Sequence, residues 1–378
     1  MAYLNASRQD ALIVAGDLTS SSSTAALITR EPESHSAISV ENLSISDTLD
    51  VDEKTYEPLP KKKLPHPLRG IRLRVLIIYR CLFSLVWLTN IVALMCILAI
   101  PSIGRQWISI IAFINLTTAV LIRQDFIVNA IYTVCCSAPK WYPLAIRLRL
   151  AKVYHFGGLH SGAATAAVCW LTGTFGYNIK CHVGTCSLPS KPSIATLVTT
   201  ALILLLLFSM IIFAWPPFRK RHHNIFERVH RLSGWSAVAL IWAQVILTAR
   251  DAQLATPGRQ SLGHAVVQSP QFWMLVAVTI SIATSWLNLR QVSVDTEVLS
   301  DHAVRLHFNY AVPVNGSFAR ISERPLLEWH SFATIAAPTA DNDHPRGYSM
   351  VVSRAGDWTS RQIDHPPMKL WTRGVPSK

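Results

Sequence analysis

Three histidines stand in otherwise apolar stretches: His155, His160 and His230. Ionisable groups in such surroundings are costly and therefore candidates for function. Imidazoles facing each other across a helical bundle can ligate one haem iron axially. His155 and His230 each follow closely on a cluster of bases, so their depths match best. His160 would lie about 7 Å deeper at the helical rise of 1.5 Å per residue. The small residues Gly157, Gly158, Gly162, Ala163 and Ala164 leave room for a flat cofactor or for close helix packing. The competing reading is that these histidines merely meet lipid headgroups as polar groups. Arg123 would either meet a haem propionate or pair with Asp125. Cys181 and Cys186 flank a short polar loop and would bridge in an oxidising compartment. Cys135 and Cys136 end an apolar run beside bases, a setting for palmitoylation or plain burial.

The elements that must position these groups follow from composition. The chain has 378 residues, of which 50% are hydrophobic and 15% charged. A soluble domain carries about 25% charge. With a mean hydropathy of +0.29, the chain is neither disordered nor collagen-like, and the reading is a membrane protein in a lipid bilayer. Residues 1–60 hold ten acids against three bases and are rich in Ser and Thr, which predicts a disordered tail over residues 1–72. The remaining bases flank apolar runs, as the positive-inside rule requires, so no nucleic-acid partner is expected.

A transmembrane helix needs about 20 apolar residues. Six stretches qualify: Val75–Ile100, Trp107–Val134, Val153–Thr174, Ile194–Trp215, Val229–Thr248 and Phe272–Leu289. Between Leu73 and Arg290 the only acids are Asp125, Glu227 and Asp251. Bases crowd the loops on one side, which predicts that both termini are cytosolic and that the membrane is the plasma membrane or an endomembrane. After Arg290 the pattern changes. Val304, Leu306 and Phe308 alternate with Arg305, His307 and Asn309, as in a half-buried strand, so residues 291–378 read as a small cytosolic β domain.

Within that domain, Leu327-Glu328-Trp329-His330-Ser331-Phe332-Ala333-Thr334-Ile335 resembles the flavin-binding segment of NADPH oxidases and ferric reductases. Arg354-Ala355-Gly356-Asp357-Trp358-Thr359 resembles the same family's Gly-Asp-Trp-Thr segment. There a glycine admits close backbone approach and free N–H groups at a helix start attract phosphate. The runs from His155 to Gly162 and from Phe226 to Trp235 resemble fungal integral membrane oxidoreductases of the TmpA type. The resemblance implies an α-helical membrane protein with six transmembrane helices over residues 73–290, followed by a β-barrel of the FAD-binding ferredoxin-reductase type. It implies FAD at His330, Ser331, Phe332, Thr334, Arg354, Gly356, Trp358 and Thr359, and haem b at His155 or His160 with His230.

Departures from that family shape the functional expectation. Its electron-transferring members carry a second histidine about four turns further along each haem-bearing helix. Here Cys169 and Ala243 occupy those positions, so at most one inner haem is expected. Ser331 and Ala333 replace the family's Pro and Thr. The sequence stops after Val375-Pro376-Ser377-Lys378, where a nucleotide domain would begin, so NADPH is not expected to bind this chain alone. The expected function is a membrane flavoprotein oxidoreductase passing electrons from flavin to one inner haem or a membrane-soluble acceptor, with a separate reductase as electron donor. The alternative is a catalytically reduced membrane protein that binds or regulates another redox protein.

Overall fold

A computed structural model describes residues 77–100, 104, 106–152, 156–184, 191–255, 258, 261–311, 313, 317–336 and 347–373. The tail over residues 1–72 lies outside the described residues.

The first helices form because their sequences are apolar and unbroken. Helix α1 (Ile78–Ala99) buries only Asn90. Helix α2 (Gln106–Leu121) leads through a short turn into α3 (Asp125–Cys136), bent by 76° from it. Gln124 in that turn accepts a hydrogen bond from Ser285 at 3.1 Å. After the short α4 (Leu144–Leu150), α5 (Gly157–Val183) forms the centre of the bundle. Its buried residues are mostly small, including Gly158, Gly162, Ala163, Ala166 and Ala167, and these let α1 and α2 approach closely.

A polar knot ties those three helices together. Asn90 and Asn115 exchange amide hydrogen bonds at 3.1 and 2.8 Å, and Trp170 donates its indole N–H to Asn90 at 2.7 Å. All three side chains are buried, so each bond spares a polar group a costly unmet partner.

Helix α6 (Ile194–Phe213) is followed by the short α7 (Pro216–Arg221) and the long α8 (His223–Ala255). Ile203, Leu204 and Leu207 of α6 meet Ala237, Ile241 and Val245 of α8. Asp251 of α8 accepts hydrogen bonds from the Ser193 N–H at 2.9 Å and the Thr196 hydroxyl at 2.7 Å, closing the start of α6. Helices α9 (Leu262–Gln268) and α10 (Pro270–Leu287) complete the helical part.

The β part contains β1 (Arg290–Ser293), β2 (Asp295–Ser300), β3 (Ala303–Phe308), β4 (Phe318–Ser322), β5 (His330–Ala333), β6 (Ile335–Ala336), β7 (Tyr348–Ser353), helix α11 (Asp357–Asp364) and β8 (Lys369–Arg373). Val304, Leu306 and Phe308 are buried, as their alternation requires. They join Ile321, Tyr348, Met350, Val352, Trp358 and Leu370 in one core.

Two features of the expected fold need correction. First, among the described residues four helices are long and apolar enough to cross a membrane, namely α1, α6, α8 and α10, or five spans if the bent α2–α3 pair counts as one. Among the described residues six do not appear, because α5 is built from small and hydroxyl residues that pack against other helices rather than from a long apolar run. Second, the strands form two four-stranded antiparallel sheets, ordered β1-β8-β4-β5 and β2-β3-β7-β6, not a barrel. Strands of two to six residues leave the sheets short, and no ladder joins one sheet to the other among the described residues.

Candidate functional site

The structure brings two of the expected histidines together. His160 lies one turn into α5 and His230 two turns into α8, with ring centroids 6.2 Å apart. The depth argument favoured His155 with His230; His155 lies outside the described residues. His160 Nδ1 sits 2.7 Å from the Ala119 carbonyl, which orients the ring. Such a second contact is what fixes the tautomer of a metal-bound imidazole. His230 Nδ1 is buried without a partner, and the Phe226 ring lies 5.5 Å from the imidazole.

The glycines beside this pair serve packing. A Cβ on Gly158 would strike the Tyr79 carbonyl oxygen, and one on Gly162 would come within 3.1 Å of Val86 Cβ. Both therefore face α1, which decides between the two readings of the small-residue run. The open space lies elsewhere. An apolar cavity of about 80 Å³ sits among α2, α6, α8 and α10, lined by Phe113, Val120, Leu207, Met210, Gly234 and Leu275. Gly234 is one turn beyond His230.

Arg123 is exposed in the turn between α2 and α3, close enough for its charge to act on both imidazoles. It does not have Asp125 as partner. Asp125 pairs instead with Arg320 of β4 at 2.7 Å. Cys181 is buried and disulfide-bonded, whereas Cys186 lies outside the described residues.

In the β part, His330 stacks on Trp358 with centroids 4.0 Å apart, and Phe332 lies 6.0 Å from the same indole. The Ala355 and Gly356 N–H groups both donate to Thr359 Oγ1, at 2.9 and 3.0 Å. Gly356 is in extended backbone, and a Cβ there would meet nothing within 4 Å. Arg354 holds Asp364 through two hydrogen bonds of 3.2 and 2.6 Å. Thr334 hydrogen-bonds Ser317 at 2.7 Å, and Ser331 is exposed. Sequence reasoning singled out these residues but missed the Ala119 carbonyl, Arg320 and Arg373. The last two were detectable only as strand positions alternating with the buried Ala319, Ile321, Leu370 and Thr372.

His330 Nε2 is buried and 3.9 Å from Glu328, too far for a hydrogen bond. Burial, reinforced by His223, Arg231 and Arg361, lowers the imidazole pKa to about 4. The unfolded chain takes up a proton near pH 6.5, before the folded one does. Stability is therefore full above pH 6.5 and falls as the pH drops from 6.5 to about 4, by roughly 2–3 kcal/mol. Denaturant unfolding at pH 7.5 and pH 4 should show this loss, and His330→Phe should remove it.

No protein-family model matches the sequence. Two curated proteins of the fungus Coprinopsis cinerea do. Adenylate-forming reductase 03009 is 40% identical over 341 residues, which is 88% of this chain and 32% of that protein. Adenylate-forming reductase 06235 is 38% identical over 340 residues, with the same two coverages. The chain thus spans about a third of the length of these relatives.

These relatives correct the family reading. They align along most of the chain and are named adenylate-forming reductases, not ferric reductases, NADPH oxidases or TmpA-type proteins. The short segments around His330 and Gly356 carried a resemblance that the longer alignments overturn. With it goes the expectation of a membrane flavoprotein that passes electrons from flavin to haem. The name of the relatives keeps only the coarser word, reductase.

Proposed function

We propose that this chain is a membrane-seated part of a reductase system of the adenylate-forming kind, with the His160–His230 pair as its ligand site. The likeness over 88% of the chain supports the reductase reading. The bilayer reading rests on Leu88, Met95, Leu98, Leu205, Ile212 and Ile280, each more than half exposed on the outer faces of α1, α6 and α10.

The observation that carries the site is the imidazole pair itself, 6.2 Å between centroids, one ring oriented by a backbone carbonyl and the other with a buried nitrogen lacking a partner. Among the described residues no group of three or more His, Cys, Asp or Glu side chains could hold a bare metal ion. A haem b bound at this pair would be held by His160 and His230, whose rings meet edge-on, with the Arg123 charge nearby. Such a group supplies one-electron chemistry when bound. The protein's own part is to orient His160 through Ala119 and to keep the pair in an apolar, water-poor bundle. FAD fits the β part less well. Among the described residues the N–H groups of Ala355 and Gly356 are taken by Thr359, and one face of His330 is covered by Trp358.

The test is an absorbance spectrum of the detergent-purified protein before and after dithionite. A Soret band with b-type reduced bands, lost in His230→Ala, is the expected result. A featureless spectrum from folded protein would remove haem from the proposal.

A further inference from the structure

The register of β4 and β8 sets Arg320 directly opposite Arg373. Like charges opposite one another on a sheet face repel. Arg320 is neutralised by Asp125 at 2.7 Å. The nearby Arg231 is neutralised by Glu227 at 2.6 Å and also donates to the Leu326 carbonyl at 3.3 Å. Among the described residues Arg373 forms no ion pair of its own. Its guanidinium lies over the rings of Trp329 at 4.9 Å and Trp286 at 5.9 Å, and its buried Nε has no hydrogen-bond partner. Burial and the neighbouring Arg320 lower its pKa to about 10, so it is still a cation at neutral pH. The exposed Arg123 adds another positive charge two residues from Asp125.

This junction of helix ends and sheet therefore holds more guanidinium than carboxylate, with donors left over. A planar guanidinium fork matches a tetrahedral oxyanion in bidentate fashion. The Arg320 and Asp125 side chains are 34% and 35% exposed, so an anion can reach the site from outside. The Trp286 and Trp329 rings hold the Arg373 head in place and cost it no polar contact. We propose that Arg373 and Arg320, with Arg123 beside them, bind a phosphate group, carried either by a soluble phosphate compound or by a phospholipid head. The site rests on Arg373 and Arg320, neither of which belongs to the histidine pair, so it stands without Arg123.

The test uses the full chain in detergent, exchanged into phosphate-free buffer. Inorganic phosphate should raise the melting temperature saturably over chloride at equal ionic strength, and Arg373→Gln should weaken that response roughly tenfold or more. In phosphate-free buffer Arg373→Gln should melt no lower than the parent chain, because the cross-strand repulsion is gone; this separates loss of the site from loss of the fold. If Arg373→Gln fails to fold, Arg373→Lys keeps the charge without the fork and should show the same weakened response. No effect of inorganic phosphate, together with stabilisation by phosphatidylcholine vesicles containing phosphatidic acid that the variant loses, would assign the phosphate to a lipid head. If neither probe stabilises the parent chain, or both stabilise the variant equally, the proposal is overturned.

Discussion

Gly158→Ala should destabilise the helical part by about 3 kcal/mol, although alanine is the better helix former by roughly 1 kcal/mol. The reason is geometric. The position of a Cβ is set by the backbone, and here it would strike a backbone carbonyl, that of Tyr79. No side-chain rotation on either helix relieves the clash. Helix α1 would have to move away from α5, straining the Tyr79–Ser161 hydrogen bond of 2.7 Å and the Trp87–Thr165 hydrogen bond of 3.2 Å. The same helix supplies its own controls. A Cβ on Gly173 or Gly176 would meet nothing within 4 Å. Alanine at either position should leave stability unchanged or raise it by up to about 1 kcal/mol. Thermal melting of the three variants in detergent separates packing from propensity. Equal melting temperatures for all three would mean that α1 and α5 are not in close contact at Gly158.

Phe308→Ala should cost about 4 kcal/mol and unfold the β part first. Phe308 is fully buried, stacks on Tyr348 at 4.9 Å and meets Tyr310 edge-on at 6.3 Å. Truncation removes the transfer free energy of the ring and leaves a cavity that short, cross-paired strands cannot close. It also removes aromatic contacts worth roughly 1 kcal/mol. Set against a total stability on the order of 5–15 kcal/mol, this is a large fraction. Limited proteolysis should then cut within residues 290–373 and spare the helices. Phe318→Ala, at a side chain 58% exposed, should behave like the parent chain. Similar resistance of both variants would show that Phe308 does not anchor this core.

The long apolar helices were legible before any coordinates. Helices α1, α6 and α10 are runs whose composition alone demands burial away from water. Strand β3 was legible for the same kind of reason, since strict alternation over Val304, Leu306 and Phe308 fits only a half-buried strand. The sequence also marked His155, His160 and His230 as unusual, because an imidazole among apolar neighbours is costly wherever it points. The family reading failed for a different reason. A few matching residues around His330 and Gly356 carry little information, and the relatives that align over most of the chain bear another name.

What the sequence by itself determined is local: which stretches avoid water, which alternate, and which polar groups they carry with them. The tertiary structure alone decided the pairings. It set His160 beside His230, gave Asp125 to Arg320 instead of the nearby Arg123, turned Gly158 toward α1, and placed Arg373 across from Arg320. Each of these depends on helix rotation or strand register, to which hydrophobic pattern is nearly blind once a helix is apolar on every side. A turn of about 100° in a helix, or a slip of one residue in a strand, leaves the composition of a segment unchanged and reassigns every partner it has.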